Sequence, residues 1–291
     1  MRLLAALAVA TTLVIAAPGA SAAEETVRFT VEGQTVVGTL SLPAGEPAPV
    51  VLLLHGFTGT RDELPVAGTT EGVFARTARL LREAGLASLR IDFRDSGESD
   101  GAFEHTTFER QVADGRAALA FLAADPRVAG DRAAIIGWSQ GGLVAAGVAG
   151  RGGMPAAVAL WAAVSDPEPT FAGLLGKETI ARGLTLAEGE PLAVTLPWGA
   201  QIALRKGFFE GLRSYDPLAE IAAYPGPLFV AQGSRDDLVP PVSAERFIAA
   251  HEGPEALWTA EMDHVFNVFT GPETLDAMVA ATIAFLDPHL R

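Results

Sequence analysis

Ser139 is the residue whose sequence neighbours most clearly predict covalent chemistry. It is the centre of Gly137-Trp138-Ser139-Gln140-Gly141, a G-x-S-x-G pattern. The apolar run 133–136 before it predicts a buried strand, and the small residues 142–150 after it predict a closely packed helix. A serine on such a sharp strand-to-helix turn is presented to substrate, and the glycines avoid collisions with the neighbouring strand or helix. The pattern therefore predicts that Ser139 is a nucleophile.

A serine hydroxyl needs a base within hydrogen-bonding reach, and that base needs an orienting acid. In this order of elements, the acid and then a histidine are expected to follow the serine. His264 lies in a loop after the last predicted strand, which is the expected place, and we predict that it is the base. A purely structural histidine is the alternative. The other four histidines lie elsewhere in the predicted pattern: His55, His105, His251 and His289.

The acid is expected on the loop that follows the preceding strand, residues 233–240. This loop contains Asp236 and Asp237. We predict Asp236, three residues after Gly233, and keep Asp237 as the competing choice. Asp263 adjoins His264 in sequence and is expected to point elsewhere.

Acyl transfer also needs backbone amides that meet the charge on the substrate's carbonyl oxygen. One is expected from Gln140, which follows the nucleophile. The other is expected from the loop after the first buried strand, His55-Gly56-Phe57, where we choose the amide of Phe57. The acid-rich loop 92–100 is expected to shape the wall beneath the site and not to act as an acid pair.

Alternating strands and helices must position these residues. This alternation predicts an α/β fold with a mostly parallel sheet and helices on both faces. Predicted strands cover residues 26–31, 36–42, 50–54, 87–92, 133–136, 156–163, 227–232 and 256–259. Predicted helices cover residues 72–84, 106–124, 142–150, 243–250 and 272–286.

The alternation stops between residues 164 and 215, a stretch with several prolines and glycines. We interpret this stretch as a cap inserted into a single domain of residues 23–291, over the sheet edge where open α/β sheets bind ligands. The alternative is a structural excursion on a distant surface.

Residues 1–22 have the pattern of a secretory signal peptide. Arg2 is followed by a largely apolar run of residues 3–17 and then by Ala20-Ser21-Ala22, an A-x-A cleavage pattern. A membrane anchor is the alternative, but the run is shorter than the roughly 20 residues that span a bilayer. We therefore expect a secreted or periplasmic protein, cleaved near Ala22, with no stable membrane insertion afterwards.

Composition narrows the remaining functions. The chain has no cysteine, so disulfides and thiol chemistry are excluded, and its net charge of −14 disfavours nucleic acid as a partner. Neither a metal-binding histidine pair such as H-E-x-x-H nor a phosphate-binding glycine motif occurs. We expect no metal and no cofactor.

Together these residues resemble the α/β-hydrolase superfamily, and within it the cinnamoyl/feruloyl esterase-like hydrolases. The resemblance is carried by residues 55–61 (HGFTGTR), 92–101 (DFRDSGESDG) and 137–142 (GWSQGG). It implies hydrolysis of carboxylic esters through an acyl-enzyme on Ser139 and an inserted cap that helps to bind an aromatic acyl group. The chain departs from the common pattern at Asp95, where glycine is frequent, and at Trp138, where histidine is frequent. Tyr215 is a candidate for binding a phenolic hydroxyl, or else a packing residue where the cap rejoins the sheet.

The expected function is therefore that of an exported serine esterase acting on small-molecule esters, with aryl and hydroxycinnamoyl esters as candidates. Two alternatives stay open. One is a serine peptidase of the same fold that acts on short peptides, and the other is a secreted binding protein without catalysis.

Overall fold

An eight-stranded sheet forms the centre of the molecule in the computed structural model, which describes residues 23–45 and 47–291. The strand order is β1-β2-β4-β3-β5-β6-β9-β10; β1 and β2 are antiparallel to their neighbours, and all other pairs are parallel. The predicted signal peptide lies outside the described residues. The strands are β1 (Ala23–Val31), β2 (Gln34–Leu42), β3 (Val50–Leu54), β4 (Ala87–Asp92), β5 (Ala134–Trp138), β6 (Val158–Trp161), β7 (Pro191–Thr195), β8 (Gln201–Arg205), β9 (Leu228–Gly233) and β10 (Glu255–Ala260).

Helices cover both faces of this sheet. The helices are α1 (Val73–Glu83), α2 (Phe108–Ala124), α3 (Gln140–Val148), α4 (Pro167–Leu175), α5 (Lys177–Leu184), α6 (Lys206–Ser214), α7 (Pro217–Ala222), α8 (Val242–Ala250) and α9 (Glu273–Leu290). Helices α2, α3 and α8 contribute to one apolar core, and α1 and α9 contribute to the other. The prediction of a mostly parallel sheet between helical layers is confirmed.

Strand β3 shows why its residues form a buried strand. All five of its residues are apolar and fully buried. Side chains alternate between the faces of a strand, so Leu52 and Leu54 join one core whereas Val51 and Leu53 join the other. A strand buried on both faces needs an unbroken apolar run.

The order of the strands creates the place for a site. The chain runs from β3 to β4 on one side, and β5 then pairs with the other side of β3. Parallel strands end at the same edge of the sheet, and the position where the order reverses leaves a crevice outside their carboxyl ends. The loops after β3, β5, β9 and β10 all start at this edge.

Residues 164–215 leave the sheet after β6 and form α4, α5, the antiparallel hairpin β7–β8 and α6. Phenylalanines attach this insertion to the rest of the domain. The ring of Phe57 lies 5.1 Å from that of Phe171 and 5.6 Å from that of Phe208, measured between centroids. The insertion is therefore packed directly on the loop after β3.

Some details of the sequence prediction differ from the structure. The hairpin β7–β8 and the helix α7 were not predicted, and the strand expected over residues 156–163 is shorter, at Val158–Trp161. Helix α9 continues to Leu290, past the predicted end at residue 286. Within the part of the chain that the structure describes, no helix has the length and apolarity that crossing a bilayer requires.

Candidate active site

Ser139 lies between β5 and α3 with φ 56° and ψ −116°, a backbone conformation that costs free energy and is typical of functional sites. The flanking glycines permit this turn. A Cβ atom on Gly137 would lie 2.2 Å from the carbonyl oxygen of Gly141, and one on Gly141 would lie 2.0 Å from the carbonyl oxygen of Leu54. Larger residues at these two positions would push the helix away from the sheet.

His264 reaches the serine from the loop after β10. Its Nε2 lies 3.0 Å from the Oγ of Ser139. Asp263 supports this loop by accepting hydrogen bonds from the amides of Val265 and Asn267, so it points away from the imidazole, as predicted. The indole of Trp138 donates to the carbonyl oxygen of His264 at 3.2 Å. The residue before Ser139 thus also holds the loop that carries His264.

Asp236 completes the hydrogen-bonded chain. Its Oδ2 lies 2.9 Å from Nδ1 of His264, and its Oδ1 accepts hydrogen bonds from the amides of Leu238 and Val239 at 3.0 and 2.8 Å. Asp236 is buried, whereas Asp237 is exposed. The structure therefore brings Asp236, and not its neighbour, to the histidine.

The two amides chosen for the oxyanion hole lie beside this chain. Gln140 is the first residue of α3, where amides have no partner within the helix. Phe57 lines the same cavity as Ser139. Within residues 23–45 and 47–291, neither amide donates to another protein group. The side-chain amide of Gln140 has another partner, because it donates to Gln111 at 2.7 Å.

His55 is a structural histidine next to the site. Its ring is buried and connects two strand ends: Nδ1 lies 2.8 Å from the carbonyl oxygen of Gly56, and Nε2 accepts from the amide of Phe93 at 3.2 Å. An Nε2 that accepts implies an Nδ1 that carries the proton. Burial lowers the pKa of His55, which keeps the ring neutral. His251 directly follows α8 and is also buried.

A cavity of about 480 Å³ opens in front of Ser139 and His264. Its walls are mostly apolar, and part of them comes from the insertion, which contributes Thr170, Phe171, Leu174 and Trp198. No arginine or lysine is found among the described residues that line it. Trp198 and Phe269 line the cavity while remaining largely exposed, at 58% and 64%. The cavity suits a neutral, apolar group.

The acid-rich residues at the end of β4 and in the loop after it have a structural role. Buried Asp92 accepts hydrogen bonds from the amides of Arg61 and Glu98 and forms an ion pair with the Arg61 guanidinium. Asp95 has φ 73°, the left-handed conformation expected where glycine is frequent, and its carboxylate pairs with Arg110 at 2.9 Å. These carboxylates are bound to arginines and form no free acid pair.

Sequence reasoning missed two contributors and left one undecided. Glu63 lines the cavity, and buried Gln232 donates to Asp236 at 3.2 Å. A polar residue near the end of the buried strand β9 was a signal for Gln232, but no local pattern marks Glu63. Tyr215 is a packing residue, since its ring is buried and its hydroxyl donates to the carbonyl oxygen of Leu143 at 3.1 Å.

One curated relative matches most of this chain. An uncharacterised protein of Mycobacterium tuberculosis is 29% identical over 212 residues, or 73% of this chain, and the chain spans 61% of that relative's length.

Among solved structures, Est1E from Butyrivibrio proteoclasticus, with ferulic acid bound, superposes with a TM-score of 0.72 at 22% identity, covering 90% of this chain and 98% of that one. The esterase domain of a Rhodothermus marinus protein gives a TM-score of 0.67 at 25% identity, covering 91% and 98%. The alpha/beta hydrolase family matches residues 51–278. This chain therefore belongs to the alpha/beta hydrolase family.

Proposed function

We propose that this protein is a serine hydrolase of carboxylic esters. The observation that carries the proposal is the continuous chain of hydrogen bonds from Asp236 through His264 to Ser139, with distances of 2.9 and 3.0 Å. A serine, an imidazole and a buried carboxylate in this order are the groups that activate a hydroxyl for attack.

In the proposed reaction, the Oγ of Ser139 attacks the ester carbonyl carbon while Nε2 of His264 takes the hydroxyl proton. Asp236 holds the imidazole and stabilises its charged form. The amides of Phe57 and Gln140 stabilise the oxyanion, and the positive end of the α3 dipole adds to this effect. The imidazolium then protonates the leaving alcohol. Water, activated by His264, hydrolyses the acyl-enzyme and releases the acid.

The cavity supports neutral esters with an apolar acyl group as substrates. Aromatic side chains of Phe57, Phe171, Trp198 and Phe269 line it, and its described lining residues include no arginine or lysine that could bind a carboxylate or phosphate. The fold shared with Est1E, whose structure holds ferulic acid, favours including hydroxycinnamate esters among the substrates.

The proposal includes export, because residues 1–22 have the charged start, apolar run and A-x-A pattern of a signal peptide. N-terminal sequencing of exported protein tests this part, and a mature chain that begins near Ala23 supports it.

The catalytic part is tested by assaying p-nitrophenyl acetate, p-nitrophenyl butyrate, methyl ferulate and aminoacyl-nitroanilides. We expect hydrolysis of the esters and a loss of roughly 10⁴-fold or more in kcat for Ser139→Ala or His264→Ala. The double variant is expected to lose little more, because such residues act as a unit.

Labelling by a fluorophosphonate probe tests the assignment of Ser139 directly, and circular dichroism is the control for folded protein. Wild type is expected to be labelled and Ser139→Ala is not, while both retain the same circular dichroism spectrum. Equal labelling of the two proteins would refute the assignment of Ser139, and rapid release from the nitroanilides alone would identify a peptidase.

A further inference from the structure

Glu63 lies in the loop after β3 and lines the cavity together with Ser139 and His264. Its φ of 61° is unusual for a residue with a side chain. The surrounding backbone holds it there, since its amide donates to the carbonyl oxygen of Thr60 at 3.1 Å and its own carbonyl lies close to Gly72. Such conformations concentrate at functional sites, yet the mechanism proposed above does not use this side chain.

The carboxyl group of Glu63 binds the loop of the oxyanion hole. Its Oε1 accepts a hydrogen bond of 2.6 Å from the amide of Gly56. The next peptide unit joins the carbonyl of Gly56 to the amide of Phe57, and that carbonyl accepts from His55 and from the amide of Gly59 at 2.8 and 3.1 Å. Because a peptide unit is planar and trans, its N–H points opposite to its carbonyl. Glu63 thus fixes the peptide that precedes the one carrying the Phe57 amide.

The carboxyl group is also close to the nucleophile. A Cβ atom placed on Gly56 would lie 3.6 Å from Oε1 of Glu63 and 3.6 Å from Cβ of Ser139. The carboxyl group and the turn that carries the serine therefore both border the side of Gly56 where a side chain would stand. A negative charge on Glu63 would lie on the side of the site where the oxyanion develops.

The ionisable groups around Glu63 are engaged with other partners. Within the described part of the chain they pair as follows: Arg61 with Asp92 and Glu98, Asp62 with Arg90, Glu71 with Arg76 and Arg79, and His264 with Asp236, while His55 is bonded to Gly56 and Phe93.

Among residues 23–45 and 47–291, no arginine or lysine therefore pairs with Glu63 to compensate a negative charge. Although the residue as a whole is half-buried, protein surrounds its carboxyl end, and this burial raises the pKa of Glu63 from 4.5 to about 8, opposed in part by the bond from Gly56. At neutral pH the group is a neutral acid.

We propose that Glu63 is a positioning residue of the oxyanion hole. As a neutral carboxylic acid it holds the Gly56 amide, and it thereby orients the loop of Phe57 without placing a negative charge beside the reacting carbonyl. The inference rests on the proposed ester hydrolysis and predicts that its kcat falls at high pH. Ionisation of Glu63 opposes the oxyanion but changes the binding of a neutral ester little, so kcat falls and KM does not.

The test is a pH profile of kcat and KM for p-nitrophenyl butyrate between pH 6 and 9.5, corrected for spontaneous hydrolysis. For wild type we expect kcat to fall about tenfold from pH 7 to 9 with a midpoint near 8, because about one tenth of the acid remains protonated one unit above its pKa. Glu63→Gln keeps a carbonyl acceptor for Gly56 and does not ionise. It is expected to stay within about threefold of wild type at pH 7 and to show no fall.

Asp62→Asn is the matched control, since it removes an exposed carboxylate from the adjacent position of the same loop. It is expected to follow the wild-type profile. A fall in Glu63→Gln identical to that of wild type, or a wild-type profile that stays flat to pH 9.5, would overturn the inference.

Thermal unfolding gives a readout that does not depend on ester hydrolysis. The folded state binds the Glu63 proton more tightly than the unfolded state, so this group's contribution to stability is complete below pH 4.5 and is lost as the pH rises through about 8. The Tm of Glu63→Gln relative to wild type should therefore increase from pH 5 to pH 9. A constant difference would show that Glu63 ionises normally and would overturn the inference. If this shift in Tm appears but no ester is hydrolysed at any pH, the proposed function is wrong, whereas the raised pKa of Glu63 in the folded protein is supported.

Gly59→Ala is a second variant, useful if Glu63→Gln does not fold. A Cβ atom at this position would lie 2.6 Å from both carboxyl oxygens of Glu63, so the flexible carboxyl end must move. We expect kcat to fall about tenfold or more at pH 7 with little change in KM. Wild-type kcat in this variant would contradict the positioning role.

Discussion

At the scale of single residues, hydrogen bonds determine how each polar side chain of the candidate site is oriented. Asp236 accepts two backbone amides, one side-chain amide and the imidazole, and it is 2% exposed. Asp237, one position later, faces solvent. A buried carboxylate with this many donors is held in one orientation, and that orientation selects the tautomer of His264 with its proton on Nδ1.

We predict that Asp236→Asn lowers kcat by about 10³- to 10⁴-fold, because an amide NH₂ facing Nδ1 favours the wrong tautomer of His264. Asp237→Asn is expected to change kcat less than about twofold. Ester hydrolysis by both purified variants is the measurement, with circular dichroism to show that each is folded. The reverse ranking would mean that Asp237 supplies the acid.

The sequence was sufficient to predict how Ser139, Asp236 and His264 are arranged, because each follows a recognisable strand and their order in the chain is restrictive. Glu63 could not be predicted in this way. It lies in an irregular loop, and only the folded backbone brings its carboxyl group to the amide of Gly56, seven residues earlier. Local sequence patterns predict local contacts, whereas the polar groups that reach a site from irregular loops are determined by the whole fold.

At the scale of elements, the buried strands were predicted within about two residues at most of their ends, since unbroken apolar runs such as residues 50–54 have few other interpretations. The hairpin β7–β8 was not. Strand β7 alternates exposed and buried residues over only five positions and begins at Pro191, so its pattern is short and resembles a loop. Strand β8 packs against residues 103–105, where Arg205 pairs with Glu104, and this contact, not a strong local preference, supports the hairpin.

The turn from β5 into α3 has no space for a larger side chain at its glycines. We predict that Gly141→Ala destabilises the protein by about 1–3 kcal/mol, as expected for an overpacked contact, because its Cβ would lie 2.0 Å from the backbone oxygen of Leu54. Labelling of Ser139 by a fluorophosphonate should slow at the same time, since α3 must move.

Gly173→Ala is the control for this change. Nothing lies within 4 Å of a Cβ atom at Gly173 in helix α4. Alanine there is expected to raise the free energy of unfolding by about 0.5–1 kcal/mol through lower backbone entropy of the unfolded chain. Equal effects of the two substitutions in urea denaturation would contradict the steric explanation.

At the scale of the whole molecule, a buried ion pair connects separate layers. Arg94 follows β4, and Asp114 lies on α2; both side chains are fully buried, and the carboxylate of Asp114 accepts from the backbone amide of Arg94 and from its Nε at 2.9 and 2.5 Å. The same guanidinium also reaches Glu32 in the turn between β1 and β2 at 2.8 Å. This arginine thus connects the turn between the antiparallel strands β1 and β2 to helix α2.

We predict that Asp114→Ala lowers the free energy of unfolding by about 3–5 kcal/mol, because it leaves a buried guanidinium without its nearest partner. Glu210→Ala removes the exposed partner of Lys206 and is expected to cost less than about 0.5 kcal/mol. Chemical denaturation of both variants measures the difference. A loss below 1 kcal/mol for Asp114→Ala would show that Glu32 alone satisfies Arg94.

The ring of Phe57 has a consequence for altering the selectivity of the proposed hydrolase. Its backbone amide is part of the proposed oxyanion hole, while its ring packs edge-on against Phe171 and stacks on Phe208 of the insertion. Turnover and substrate preference are thus coupled through one residue. Grafting a foreign insertion to accept new acyl groups will also disturb the rate, unless the graft retains both of those phenylalanines.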